Sequence, residues 1–214
     1  MRLVLAEDSV LLREGIARLL AEQGIDVVAQ ASTADELLSA VEEHKPDVVI
    51  TDIKMPPSHT DDGLRAAEWI KDRFPDIGIL VLSQYVEPRY AMKLMTSGGG
   101  VGYLLKDRVA RVGEFIQSIE RVAAGDSVVD PQVVSQLMDR RRSQIALERL
   151  TDREKEILAR MAQGKSNKAI SDELVLGPKT VETHITHILQ KLELAPSTEG
   201  HRRVLAVLDY LRSA

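Results

Sequence analysis

The sequence predicts two folded parts: an α/β domain with a five-stranded doubly wound parallel sheet, then a smaller all-α domain of four helices. Three observations carry this. Four short apolar runs, ending at Glu7-Asp8, Asp52, Ser83 and Lys106, each deliver polar chemistry at their C-terminal end. Between those runs, apolar residues recur at helical spacing. After Leu150 the strand pattern stops and capped helices take over.

The elements follow in order. Arg2-Leu-Val-Leu-Ala is the first strand, and Val10, Leu11, Leu12, Ile16, Leu19 and Leu20 trace a helix that Gly24 closes. Ile25 to Gln30 is the second strand. Thr33, with Glu36 three residues on, has the form of a capping box for the next helix. Asp47-Val-Val-Ile-Thr-Asp52 is the third strand, and a helix from about Asp62 to Phe74 stops before Pro75. Ile77 to Ser83 is the fourth strand, and Pro88 suits the first turn of the following helix. Val101 to Lys106 is the fifth strand, with a closing helix from about Val109 to Ala124. Near-continuous apolar strands belong to a parallel sheet covered on both faces.

Residues 1–122 thus form one domain. Residues 123–147 read as a partly helical linker, with Asp130-Pro131 opening a short helix that runs into Arg140-Arg141-Arg142 as a solvated end. Residues 148–214 form the second domain. Thr151-Asp-Arg-Glu154 is a capping box, Gly164 ends that helix, Ser166 opens the next, and Gly177-Pro178 opens a third. Pro196 to Gly200 reads as a loop, and a last helix carries Val204, Leu205, Val207, Leu208 and Leu211.

The 214 residues, 44% apolar and 29% charged, are an ordinary globular composition. With no apolar run of membrane-spanning length and no signal-peptide pattern, the expected location is the cytoplasm, away from membranes. The absence of cysteine excludes disulfides and thiolate-metal sites. Net charge is −5, but unevenly spread. Residues 148–214 carry 11 Lys+Arg against 10 Asp+Glu, whereas the rest carries 17 against 23. That asymmetry suits two domains with different partners.

In an open parallel sheet, ligands bind outside the carboxyl ends of the strands. Glu7, Asp8, Asp52, Ser83 and Lys106 all fall there. Converging carboxylates repel one another, and a hard divalent ion such as Mg²⁺ relieves the repulsion. Beside it, one carboxylate can act as nucleophile toward a phosphoryl donor, giving an aspartyl phosphate. Lys106 can pair with phosphoryl oxygens, and Ser83 can hydrogen-bond the installed group.

Glu7-Asp8, Thr51-Asp52-Ile-Lys-Met-Pro56, Ser83 and Gly102-Tyr-Leu-Leu-Lys106 resemble the receiver domain of two-component response regulators, across residues 1–122. The resemblance implies a flavodoxin-like (CheY-like) fold with Asp52 as phosphoacceptor and a sensor histidine kinase as partner. It further implies Mg²⁺ held by Glu7, Asp8, Asp52 and the backbone carbonyl of Lys54. Ser83 would be the switch hydroxyl, Tyr103 the switch aromatic and Lys106 the phosphoryl-pairing lysine. Two departures stand out. Pro56-Pro-Ser-His-Thr-Asp-Asp62-Gly63 is longer than the usual turn and brings His59, Asp61 and Asp62 toward the pocket. Gly98-Gly-Gly100 replaces a single glycine and raises backbone freedom.

In the third C-terminal helix, Val181, Ile185, Ile188 and Leu192 form a buried stripe at helical spacing. Thr180 starts the helix, and Glu182, Thr183, Thr186 and Gln190 lie off the stripe, able to face base edges; Lys179 and Lys191 suit phosphates. Leu150-Thr-Asp-Arg-Glu154, Gly164-Lys-Ser-Asn167-Lys-Ala-Ile170, Thr180-Val-Glu-Thr-His184 and Lys191-Leu192 resemble the LuxR-type helix-turn-helix. The whole is thus similar to a NarL/FixJ-type response regulator. The resemblance implies double-stranded DNA as partner, Pro178 to Leu192 as recognition helix, and homodimerisation through the last helix. Glu182 stands where many relatives have lysine; it is either an acceptor for cytosine N4 or an outward acid that steadies the helix.

The function expected is a DNA-binding transcription regulator switched by phosphorylation of Asp52 and bound to a two-fold site as a dimer, not an enzyme with turnover beyond its own phosphorylation and slow dephosphorylation. The alternative is a phosphorylation-independent DNA-binding regulator whose receiver is a constitutive or ligand-tuned dimerisation module. A phosphohydrolase is disfavoured, because Lys54 stands where such enzymes place a second acid.

Overall fold

The computed structural model describes residues 1–96, 98–194 and 201–213; the loop expected at Pro196 to Gly200 lies outside them. The chain divides into two compact units, Met1–Val134 and Ser135–Ala214.

In the first unit, strands β1 (Arg2–Ala6), β2 (Asp26–Ala31), β3 (Val48–Asp52), β4 (Gly78–Ser83) and β5 (Val101–Leu105) alternate with helices α1 (Val10–Glu22), α2 (Ala34–His44), α3 (Asp62–Arg73), α4 (Pro88–Met95) and α5 (Val112–Ala123). With a short sixth strand, β6 (Val128–Val129), the sheet is parallel throughout, in the order β2-β1-β3-β4-β5-β6. Every residue of β3, β4 and β5 is buried, whereas β2, at the edge of the order, is mostly half-exposed. That is the sheet expected from the unbroken apolar runs, with helices over both faces. It has one strand more than expected. β6 (Val128–Val129) pairs with Gly102 and Tyr103 of β5, inside the segment read as linker. Two residues are too few for periodicity to reveal.

Three further differences are local. Lys106–Ala110 form a 3₁₀ turn, so α5 begins at Val112 rather than near Val109. The helix opened by Pro131, α6, runs to Glu148, well past the arginine triplet. In the glycine run, Gly98 and Gly100 take left-handed φ of 110° and 69°, and a Cβ on Gly99 would lie 2.8 Å from the Gly125 carbonyl oxygen. Each glycine there meets a shape that a larger residue would strain.

The second unit contains α7 (Asp152–Ala162), α8 (Asn167–Leu174), α9 (Pro178–Lys191) and α10 (Arg202–Ser213) around one apolar core. The Thr151–Glu154 capping box forms in full, and the Ser166 hydroxyl accepts from Ala169 N–H at the head of α8. Val175 ends α8 in a left-handed conformation and is almost fully exposed. Ser171 exchanges bonds with Leu176 across that turn: its carbonyl accepts from Leu176 N–H, and its hydroxyl donates to the Leu176 carbonyl.

Candidate functional site

The pocket forms where β1, β3, β4 and β5 end. Parallel pairing sets Leu82 beside Asp52 and Leu105 beside Ser83, so consecutive strand ends bring their polar residues to one edge. A cavity of about 400 Å³ there is lined by Glu7, Asp8, Asp52, Lys54, His59, Ser83 and Lys106, among others.

Lys106 organises it. Its Nζ lies 2.7 Å from Asp52 Oδ2 and 2.9 Å from Glu7 Oε1. Burial works against the charge on Lys106, but bonds to the two carboxylates outweigh it and raise its pKa. Burial also pushes the Glu7 carboxyl above its usual range, although Lys106 opposes this.

Oxygens of Glu7, Asp8 and Asp52 all lie within 4.8 Å of one another. Glu7 Oε2 is buried, and among the described residues it makes no well-directed hydrogen bond, despite lying 2.8 Å from Lys106 Nζ. A buried oxygen left short of partners, among three hard donors, fits a divalent cation such as Mg²⁺.

Asp52 is held from its own backbone. Gly63 N–H donates to Ile53 O, and a Cβ on Gly63 would sit 1.8 Å from the Asp52 carbonyl oxygen. The long loop before α3 closes on itself, with Ser58 bonded to Asp62 through both N–H and hydroxyl. Of its three candidates, only His59 lines the cavity, with Nδ1 3.6 Å from Asp8 Oδ2. The Lys54 side chain turns away to Glu87, at 3.0 Å.

Ser83 and Tyr103 meet at a single acceptor. The Ser83 hydroxyl donates to the Tyr85 carbonyl at 2.8 Å, and the fully buried Tyr103 donates its phenol to the same oxygen at 3.2 Å. Burial pushes the Tyr103 phenol up. No sequence pattern marks a backbone carbonyl as a shared acceptor.

On the second unit, α9 buries Val181, Ile185 and Ile188, with Leu192 as its C-cap. Lys179, Thr180, Glu182, Thr183 and Thr186 are exposed together on its outer side. Thr183 and Thr186 donate their hydroxyls to Lys179 O and Glu182 O, which leaves the oxygens free to accept. Lys191 is held differently from the other candidates. Its Nζ is bonded at 2.6 Å to Glu154 Oε2, in the capping box of α7, so its ammonium is already engaged inside the unit.

A phosphoacceptor-type pocket at the edge of a parallel sheet, followed by a helix-turn-helix unit, defines the class of protein. Residues 3–117 match the response regulator receiver domain family, and residues 148–202 match the bacterial regulatory proteins of the luxR family. The chain is 35% identical over 209 residues to the oxygen regulatory protein NreC of Staphylococcus carnosus, covering 93% of this chain and 94% of that one. It is 34% identical over 206 residues to the transcriptional regulatory protein YhcZ of Bacillus subtilis, covering 94% and 93%. The RcsB response regulator of Salmonella typhimurium has the same fold, with a TM-score of 0.61 at 23% identity over 100% of this chain and 99% of that one. The chain belongs to the two-component response regulators of the NarL/FixJ type, which are DNA-binding transcription regulators. No helix among the described residues is long and apolar enough to cross a membrane.

Proposed function

We propose that this regulator is switched by phosphorylation of Asp52 from a sensor histidine kinase, and that the phosphorylated chain binds a two-fold DNA site as a homodimer. The observation that carries the reading is Lys106, held by bonds to both Asp52 and Glu7 in the cavity that Ser83 also lines.

The Asp52 carboxylate attacks the phosphorus of the kinase phosphohistidine. The new P–O bond forms as the P–N bond breaks, and the electron pair leaves on the imidazole. Lys106 pairs with the phosphoryl oxygens and keeps the donor aligned. A Mg²⁺ held by Glu7, Asp8, Asp52 and the Lys54 carbonyl would neutralise charge on the transferring group. Ser83 then exchanges its bond to the Tyr85 carbonyl for one to the phosphoryl group. Tyr103 shares that carbonyl, so it is freed or re-seated with the β4–α4 segment. Lys54 stands two residues after Asp52, where phosphohydrolases place a second acid, so the group persists as a signal.

On the second unit, Lys179 meets DNA phosphates, while Thr180, Glu182, Thr183 and Thr186 face base edges. Val204, Leu205, Leu208 and Leu211 remain exposed along α10 and supply an apolar dimer face.

The test loads the purified chain from phosphoramidate with Mg²⁺, then measures mass, sedimentation and affinity for a DNA fragment selected from a random pool. One phosphoryl group should appear on the wild type and none on Asp52→Asn. DNA affinity should rise about 5- to 150-fold with phosphorylation. Equal affinity and equal oligomeric state in both forms would favour the alternative, a receiver that dimerises without phosphorylation.

A further inference from the structure

Asp130 lies outside the pocket, in the segment the sequence reads as linker, yet it is fully buried. Its carboxylate accepts from Arg108 Nε at 2.7 Å and Nη2 at 3.0 Å, from Leu105 N–H at 3.3 Å and from Gln132 N–H at 2.9 Å. Its own N–H donates to the Tyr103 carbonyl at 2.8 Å, and its carbonyl accepts from Val133 and Val134 N–H. One residue therefore grips the backbone of the switch aromatic, both flanks of Lys106, and the first turn of α6.

A helix cap does not require this. An exposed Ser, Asn or Asp would satisfy the first turn of α6 for about 1 kcal/mol. Burying a carboxylate is costly unless it is paired and its lone pairs are filled, as they are here. The guanidinium and neighbouring N–H groups outweigh that burial and hold the Asp130 carboxyl below its usual range. What the arrangement adds to a cap is a direction-specific bidentate bond from the 3₁₀ turn that Lys106 opens.

We propose that Asp130 is the positioning residue through which the phosphoryl state of Asp52 reaches α6. Lys106 is bonded to Asp52 in this structure, so a phosphoryl group on Asp52 draws its ammonium to new oxygens. Leu105 and Arg108, which flank Lys106, can follow only by re-seating the Asp130 carboxylate or moving the turn it caps. The two-residue pairing of β6 with β5 is a light additional tie that allows such movement. The inference rests on the phosphorylation proposed above.

The test uses the full chain with Asp130→Ser, which retains a helix cap but cannot reach Arg108, and Asp130→Asn, which retains one acceptor oxygen but loses the charge and the second acceptor. Each is loaded from phosphoramidate with Mg²⁺. The readouts are amide hydrogen exchange over residues 131–137 and the ratio of DNA affinities with and without phosphoryl. In the wild type, loading should alter exchange across that turn. In Asp130→Ser, loading should proceed while the exchange response disappears and the affinity ratio falls toward one; Asp130→Asn should lie between. A variant that loads and keeps the wild-type response and ratio overturns the inference, leaving Asp130 a cap. If Asp130→Ser fails to fold, Asp130→Asn decides by the same criterion. A wild type that loads without any change at the turn overturns this inference alone. One that never loads overturns the phosphorylation reading and this inference with it.

Discussion

At the edge of the sheet, a lysine sits between two carboxylates, a glycine is pressed against the backbone of Asp52, and Ser83 and Tyr103 share one carbonyl. Along α9, a lysine, three threonines and a glutamate stand exposed, and the hydroxyls of Thr183 and Thr186 are bonded to carbonyls of their own helix. The pocket residues define one another, because burial makes each charge costly until its neighbour is in place. The helix face awaits a partner to define it. The pocket thus carries its chemistry in its own contacts, whereas the α9 face takes its meaning from what binds it.

The largest effect should follow from disturbing the part that is already assembled. Gly63→Ala puts a methyl group 1.8 Å from the Asp52 carbonyl oxygen and 3.0 Å from Thr51 Oγ1. The obstacle is the backbone of Asp52 itself, so relief must move either β3 or α3. We expect a loss at or above the upper end of the ~1–3 kcal/mol typical of overpacking, with slower phosphoryl uptake. Thr183→Ala, on the open face, should change stability by less than about 0.5 kcal/mol. Urea unfolding of both variants, followed through Trp69, makes the comparison for the receiver, and amide exchange makes it for α9. Equal and small losses would erase the distinction.

Two lysines on one helix sharpen it. Lys191 is one-third exposed and bonded to the buried Glu154, so Lys191→Ala should destabilise α7–α9 by roughly 1–2 kcal/mol, less than for a fully buried pair. Lys179→Ala should leave stability unchanged and lower the salt slope of DNA binding by about one. The pH response separates them further. Burial works against the Glu154 carboxylate, but bonds from Lys191 and Thr151 outweigh it and hold the pKa low. A depressed folded pKa contributes stability that is present above the unfolded value, near about 4.3, and lost as pH falls through the folded one. Without Lys191 the folded pKa rises, so acid unfolding of α7–α9 should begin at higher pH than in the wild type. Amide exchange between neutral and acid pH tests this; identical profiles would return Lys191 to the phosphate-contact role.

The same contrast explains what was legible in the sequence. Asp52, Ser83 and Lys106 were readable because strand ends in a parallel sheet put chemistry at a known edge, and strand polarity is visible residue by residue. The stripe of Val181, Ile185 and Ile188 was readable for the equivalent reason in a helix. Pairings across long separations were not. Lys191 finds Glu154 37 positions away and Arg108 finds Asp130 22 positions away, and neither spacing has a local signature. β6 has no local signature either, because two residues have no period. Asp130 reads as a helix cap, but nothing local distinguishes a surface cap from one buried against a guanidinium.

The loop between Pro56 and Gly63 lies between the two regimes and should give the smallest effect. His59 Nδ1 is 3.6 Å from Asp8 Oδ2, and the imidazole is 58% exposed, the geometry of a weak surface contact set over a built pocket. A contact of that kind holds the loop down without determining where Asp52 lies. His59→Ala should therefore leave stability within about 0.5 kcal/mol of wild type. It should speed both phosphoryl uptake from phosphoramidate and loss of phosphoryl from Asp52, by about two- to fivefold each. Uptake and decay followed by mass on the same sample decide it. Unchanged rates in both His59→Ala and a shortened loop would make the segment a passive spacer. A tenfold or larger change would place His59 among the groups that build the pocket, and the boundary between its assembled and open parts would have to be redrawn through the loop.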